Sequence, residues 1–207
     1  MSWKVRPPQV IRNLFPGTTW RMPEQEKVIY FTFDDGPVEK ETPWVMNLLN
    51  QYQIKATFFC VGENADNNQH LIQELLNNGH SVGNHAYNHL PAWKCSRSEY
   101  FNNIDKARPY IPGNLFRPPH GQLYPWYMKE LKSKFSKVVM WDVLSMDYDK
   151  RLSKEQVLSN VTDNVRNGSV VVFHDSAKAW ERLNYALPKS LDFLLEKGYR
   201  FEVLKMD

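Results

Sequence analysis

Cysteine is nearly absent: 207 residues carry two, Cys60 and Cys95. Two thiols make no disulfide framework, so the chain is expected to hold its fold with reduced thiols. Cys60 closes the apolar run ATFFC and reads as a small hydrophobe in a strand. Charge of one sign is missing too. The formal net charge is only +3, with no dense Lys/Arg stripe, which argues against a nucleic-acid partner. No stretch approaches the ~20 apolar residues of a membrane span. The opening MSWKVRPPQVIRNLFPG carries Pro7, Pro8 and Pro16 and lacks the apolar centre of a signal peptide. As written, the chain is therefore expected in the cytoplasm, with an extracytoplasmic place left open to a longer chain. Internal repeats and low-complexity segments are absent as well.

What is present is an ordinary globular composition, 42% apolar and 24% charged, at a length that suits a single domain with one core. Residues 1–26, rich in proline and polar side chains, read as an irregular lead-in packed on a domain spanning 27–207. From residue 28 short apolar runs alternate with longer amphipathic stretches. The runs are VIYFTF (28–33), KATFFCVG (55–62), HSVGNHA (80–86), LFRPP (115–119), KVVMWDV (137–143), SVVVFHD (169–175) and RFEVLKM (200–206). They are β-branched and aromatic, and several are nearly continuous, as strands covered on both faces are. Between them lie helix patterns. Thr42 with Pro43 reads as an N-cap and first helical residue, Gly79 as a C-cap, and Ser153 with Gln156 as a capping box. The alternation predicts an α/β fold, a distorted (β/α) barrel of about seven parallel strands.

Functional residues of such a barrel gather where strands run out into loops at the C-terminal face. The polar outliers sit there: Asp34 and Asp35 after the first run, His85 and His89 after the third, Arg117 and His120 after the fourth. Asp142 and Asp147 lie at and beyond the end of the fifth run, and His174 and Asp175 end the sixth. Four of the chain's six histidines belong to this set. In GNHAYNHLP (83–91), Gly83, Asn84 and Pro91 disfavour a helix, so the histidine pair is expected on a tight turn. Two surface histidines on a polar loop would read the same way. With an acidic strand end nearby, however, two His and one carboxylate form a facial set with open positions, suited to zinc or another divalent ion.

These segments resemble the polysaccharide deacetylases of carbohydrate esterase family four, also called the NodB-homology domain. TFDDGP (32–37) matches that family's first motif. HAYNH (85–89) resembles H-[ST]-x-x-H with Ala86 in place of Ser or Thr. RPPHG (117–121) resembles R-P-P-Y-G with His120 for Tyr. WDVLSMDY (141–148) resembles W-D-V-D-S-x-D-W with Leu144 for Asp and Tyr148 for Trp. VVVFHD (170–175) resembles the closing L-H-D motif with Phe173 for Leu. The resemblance runs from residue 28 to about 204.

The resemblance implies metal-assisted hydrolysis of an acetamide or acetyl ester on a carbohydrate. Asp35, His85 and His89 would hold one divalent ion, zinc before cobalt, nickel or manganese. Asp34, paired with Arg117, would be the general base. The backbone N–H of His120 would serve the oxyanion. His174, oriented by Asp147, would be the general acid. Phe173 and Tyr148 would wall the acetyl pocket. Trp93, Trp126 and Trp180 suit sugar stacking and packing equally on residue type, whereas Trp44 and Trp141 read as core. Asp142 and His80 read as structural, and Asp175 as a supporting or turn residue. Two other functions share the scaffold: hydrolysis of a non-peptide C–N bond in a small molecule, and glycan binding without catalysis.

Overall fold

A computed structural model of the chain describes residues 3–23 and 25–205. The ends of the expected lead-in and domain, and Met206 of the last apolar run, lie outside the described residues. Among the described residues, nine strands form one parallel sheet. They are β1 (Thr18–Thr19), β2 (Val28–Asp34), β3 (Thr57–Cys60), β4 (Ser81–Asn84), β5 (Leu115–Phe116), β6 (Lys137–Val139), β7 (Val143–Leu144), β8 (Val170–His174) and β9 (Arg200–Phe201). Their order is β1-β6-β5-β4-β3-β2-β8-β7, with β9 also on β2. Each of the seven apolar runs contains a strand. The fifth splits into β6 and β7, which are separated only by Met140–Asp142. Because β6 pairs with β5 and β7 with β8, the sheet path leaves and returns on one stretch of chain. That closure is the distorted barrel the alternation predicts.

The helices are α1 (Gln9–Asn13), α2 (Glu41–Gln51), α3 (Gly62–Asn67), α4 (Gln69–Asn77), α5 (Arg97–Ala107), α6 (Met128–Lys134), α7 (Lys154–Thr162) and α8 (Trp180–Glu196). All seven residues of β2 are buried, which is why its run is continuously apolar. Ile29, Phe31 and Phe33 join the core that contains Leu49 of α2, Leu75 of α4, Val157 of α7 and Leu183 of α8. Val28 and Tyr30, on the alternate face, pack with Phe59, Leu115, Val139 and Val170. Each fully buried Phe or Leu contributes about 1.5–3 kcal/mol of transfer free energy.

Local signals place some helix ends and miss others. Gly79, at φ +78°, follows α4, and the N–H groups of Gly79 and His80 donate to Leu76 O and Leu75 O. The Ser153–Gln156 capping box opens α7. Thr42 is not an N-cap: α2 starts at Glu41, and the Thr42 hydroxyl accepts from Val38 N–H and donates to Asp175. Pro188 sits inside α8 without ending it.

Within the lead-in, residues 3–23 hold α1 and β1, and β1 pairs with β6. Leu144 N–H donates to Val5 O, and Arg21 bridges to Ser169. The segment thus lies along the splayed seam of the barrel. Asp142 pins it there, fully buried and bonded by Arg12 Nη2, Arg166 Nη2 and Nε, and Ser169 Oγ. Burial opposes ionisation of Asp142, but those donors outweigh it and hold the carboxyl down at about 2. The reading of Asp142 as structural agrees with this placement.

Candidate active site

Strand β2 delivers Asp34 into a buried position. Its neighbour Asp35 adopts φ +82°, and Asn64 Nδ2 donates to its carbonyl at 2.7 Å. The backbone reversal between adjacent residues sends the two carboxylates different ways. Gly36 follows against Asp175, whose Oδ1 accepts from Gly36 N–H at 3.1 Å while Oδ2 accepts from Thr42 Oγ1 at 2.5 Å. Asp175 thereby ties the turn after β2 to the first turn of α2. Burial pushes its carboxyl up to about 8, with Asp35 adding to the rise. A Cβ on Gly36 would lie 2.0 Å from Asp175 Oδ2. Gly36→Ala is therefore expected to cost about 1–3 kcal/mol in urea denaturation. Unchanged stability would show that Asp175 gives way freely.

Arg117 follows β5 and is fully buried. Its Nη1 donates to Asp34 Oδ1 at 2.6 Å and to Thr32 Oγ1 at 2.7 Å. Nη2 and Nε donate to the carbonyls of Met140 and Val139, and the Phe59 ring lies 4.1 Å beneath the guanidinium. A buried charge needs this density of partners.

His85 and His89 lie on a turn after β4, as the flanking residues predict. Ala86 and His89 have positive φ. The first N–H groups of α3, from Gly62 and Glu63, donate to Ala86 O and Tyr87 O. Asn103 Oδ1 accepts from Tyr87 N–H. These bonds hold a strained turn in place. His85 Nδ1 lies 2.8 Å from the carbonyl of Arg117. A carbonyl only accepts, so Nδ1 carries the proton and Nε2 of the neutral ring keeps its lone pair. That Nε2 lies 3.2 Å from His89 Nε2, and His89 Nε2 is 3.4 Å from Asp35 Oδ1. Burial lowers the pKa of both rings, favouring the neutral, ligating form. The donor atoms of Asp35, His85 and His89 all lie within 4.8 Å of one another. Two neutral imidazoles and a carboxylate converging in this way fit a divalent ion of borderline hardness.

On β8, His174 is the register partner of Asp34. Its Nδ1 is 2.7 Å from Asp147 Oδ1, and its backbone N–H donates to Asp147 Oδ2 at 2.8 Å. Arg182 of α8 holds Asp147 from behind through Nε–H to its carbonyl. Burial disfavours the charged ring, but Asp147 overcomes that, and the His174 pKa is raised to about 9. Tyr148 stands edge-on to His174 at 4.9 Å between ring centres. His120 sits at φ +57° in the turn Pro119–Gly121, with its ring 4.3 Å from that of His89. The turn's own hydrogen bonds come from Gly121 and Gln122, so the His120 N–H takes no part in them.

One expected residue is misplaced. Phe173 does not wall the pocket: it is fully buried and packs on Phe31 and Phe33 on the helix side of the sheet. Side chains alternate along a strand, so Val172 is the β8 residue that shares the face of His174. Trp93 and Trp126 are exposed, the latter stacked on Tyr124 at 4.7 Å. Trp180 packs edge-on against Trp44. His80 is buried and accepts from Ala56 N–H. The supporting roles of Thr32, Asn64, Asn103 and Arg182 had no signal in the sequence. Each acts through a contact 15 or more residues away along the chain.

Residues 21–136 match the family model described as Polysaccharide deacetylase. A peptidoglycan-N-acetylglucosamine deacetylase of Bacillus cereus is 35% identical over 192 residues, covering 88% of this chain and 89% of the relative. The crystal structure of a peptidoglycan N-acetylglucosamine deacetylase in complex with 4-naphthalen-1-yl-N-oxidanyl-benzamide shares the fold with a TM-score of 0.85 at 30% identity, over 96% of this chain and 94% of that one. A family 4 carbohydrate esterase from Streptomyces lividans in complex with acetate gives 0.75 at 26% identity, over 87% and 94%.

Proposed function

The chain belongs to the polysaccharide deacetylase family, and from that membership we propose a metal-dependent hydrolase that removes acetyl groups from carbohydrate, N-acetyl in preference to O-acetyl. The relatives named above point to peptidoglycan as the first substrate to try. One observation carries the reading: Asp34 and His174 lie side by side on β2 and β8, next to the convergent donors of Asp35, His85 and His89. Residues 27–207 are the catalytic unit in this reading, with residues 3–23 packed along its seam.

Asp35, His85 and His89 would hold one divalent ion, zinc first, which when bound supplies a Lewis acid that acidifies water and polarises the acetyl carbonyl. Asp34, steadied by Arg117, takes the proton of the attacking water as its oxygen bonds to the acetyl carbon. The His120 N–H donates to the oxygen on which negative charge develops. The C–N bond then breaks, and His174 Nε2–H protonates the departing amine. Acetate and a free amino sugar leave. Asp147 holds His174 in orientation, and Tyr148 with Val172 bounds the methyl group.

Among the described residues no helix is long and apolar enough to cross a membrane. A peptidoglycan substrate favours the extracytoplasmic alternative over the cytoplasmic one. The direct test is acetate release by metal-loaded protein from N-acetylated chitooligosaccharides, peptidoglycan fragments and acetylated xylan. Release that stops with a chelator and returns with added zinc is the expected result. Turnover of a cyclic amide with no acetate from any glycan would replace this reading with small-molecule C–N hydrolysis. Glycan binding without release at any metal loading would make the protein a binder.

A further inference from the structure

Two tryptophans stand open to solvent on the loops that lead out of the site. Trp126 is 71% exposed and Trp93 58%, although tryptophan is highly buried on average. Trp93 lies in the turn Ala92–Lys94, which begins three residues beyond His89. Trp126 lies in the turn Pro125–Tyr127, six residues beyond His120, a separation of at most ~20 Å of extended chain. One apolar cluster joins both loops to the ligand turn. It contains Ala86 between His85 and His89, Ala92 beside Trp93, and Leu123 and Tyr127 on either side of Trp126. Trp126 is also braced in orientation. It stacks on Tyr124, with 4.7 Å between ring centres and 21° between planes, and Tyr127 meets it edge-on at 6.4 Å. Tyr127 is buried, and Tyr124 packs against the same cluster. A ring that served only to fill the core would be covered. This one is fixed by its neighbours and still turns its free face to water.

We propose that Trp126, stacked on Tyr124, is an outer sugar-binding platform, and that the substrate is an oligosaccharide or longer glycan rather than a single sugar. The inference rests on the carbohydrate hydrolase proposed above and adds a length to its substrate. A pyranose presents a face of C–H bonds rimmed by hydroxyls. An indole offers the matching surface, an apolar face with an N–H at its edge. A ring already braced by Tyr124 and Tyr127 loses little rotamer freedom when a sugar settles on it. The acetyl group reacts beside Asp35, His85 and His89, so the ring on Trp126 belongs to another unit of the same glycan. Trp93 supplies a second aromatic on the companion loop. A contact so far from the reacting bond is the same in the ground state and the transition state, and it acts through KM.

The test uses zinc-loaded full-length protein and N-acetylated chitooligosaccharides of two to six units. kcat/KM is expected to rise about tenfold with length, the gain entering through KM. Trp126→Ala should remove that gain, and Trp126→Phe, which keeps an aromatic face, should retain most of it. The side chain is exposed, so the melting temperature should hold in both variants. The hexasaccharide should also shield Trp126 of the wild-type protein from N-bromosuccinimide, read by peptide mass, which needs no variant to fold. Calorimetry on zinc-free protein measures hexasaccharide binding apart from turnover. The proposal fails if length brings no gain, if the gain survives Trp126→Ala, or if Trp126 is oxidised equally with and without hexasaccharide. It also fails if Trp126→Ala disperses a dimer of this chain and leaves glycan binding as it was. Acetate release that ignores Trp126 would end the platform and keep the hydrolase. Trp126-dependent hexasaccharide binding with no acetate from any glycan would end the hydrolase and keep the platform.

Discussion

Asp34→Asn is expected to reduce acetate release by about 10³-fold or more, the upper part of the range for a positioned general base. The side chain keeps its size, so the loss isolates the function of the carboxylate. In the structure its two oxygens face different neighbours. Oδ1 accepts from Arg117 at 2.6 Å, and Oδ2 lies 3.9 Å from His85 Nε2, on the side of the ligand cluster. An amide in that place has one acceptor and no proton affinity to offer water. The substitution also leaves the Arg117 charge buried without its counter-charge, a change that costs about 3 kcal/mol or more. Both effects must be read together. Zinc affinity and the urea midpoint should be measured on the same preparation, at a temperature where the variant is folded. A folded, zinc-loaded Asp34→Asn enzyme with wild-type release would end the assignment of the base. Arg117→Lys offers a graded companion: it keeps a charge but gives up the fork that spans Asp34, Thr32 and Met140.

Much of this site is legible because strand ends break a pattern. Asp34, Arg117 and His174 are ionisable residues placed where continuous apolar runs stop, and such residues are seldom buried without a partner. The turn at 85–89 is legible from Gly83, Asn84 and Pro91. Phe173 shows where motif matching misleads. Its place next to His174 invites a shared role, yet the period of two puts adjacent residues on opposite faces, and Phe31 and Phe33 on the helix side claim it. Alternation applied to VVVFHD alone puts Val172, not Phe173, on the face of His174. Other features have no local signature. The two residues of β1 are too few to form a pattern, and they become a strand only because β6 lies beside them. The split of run 137–143 comes from barrel closure, which gives its first half one neighbour and its second half another. Asp175 looks like a spare acid beside His174 until the fold sets Gly36 and Thr42 against it.

Asp147→Asn is expected to lower activity near neutral pH by about 10²-fold and to move the alkaline limb of the kcat/KM profile downward. Asp147 accepts two bonds from His174, one from its backbone N–H and one from Nδ1–H. A carboxylate accepts both, but an amide accepts one and sets an NH₂ against the other, so the imidazole is turned as well as deprived of its counter-charge. Burial opposes the charged ring, and Asp147 reverses that, raising the pKa to about 9, with smaller contributions from Asp35 and Asp34. A cation at Asp35 would cancel part of the contribution from those two and leave that of Asp147. The acid form of His174 exists below its pKa. Activity that needs this acid is therefore present below about 9 and lost as pH rises through that value. In the variant the loss should begin nearer the imidazole's ordinary value of about 6.5. Stability follows the same sign. The folded-state pKa is raised, so the stabilisation is complete below about 6.5 and lost as pH rises through the folded value. Wild-type protein should lose urea resistance across that window, and Asp147→Asn should lose less. NMR titration of the imidazole checks the assignment independently of turnover. An alkaline limb that stays in place in Asp147→Asn would show that another group protonates the leaving amine, and His174→Gln would then retain the wild-type profile.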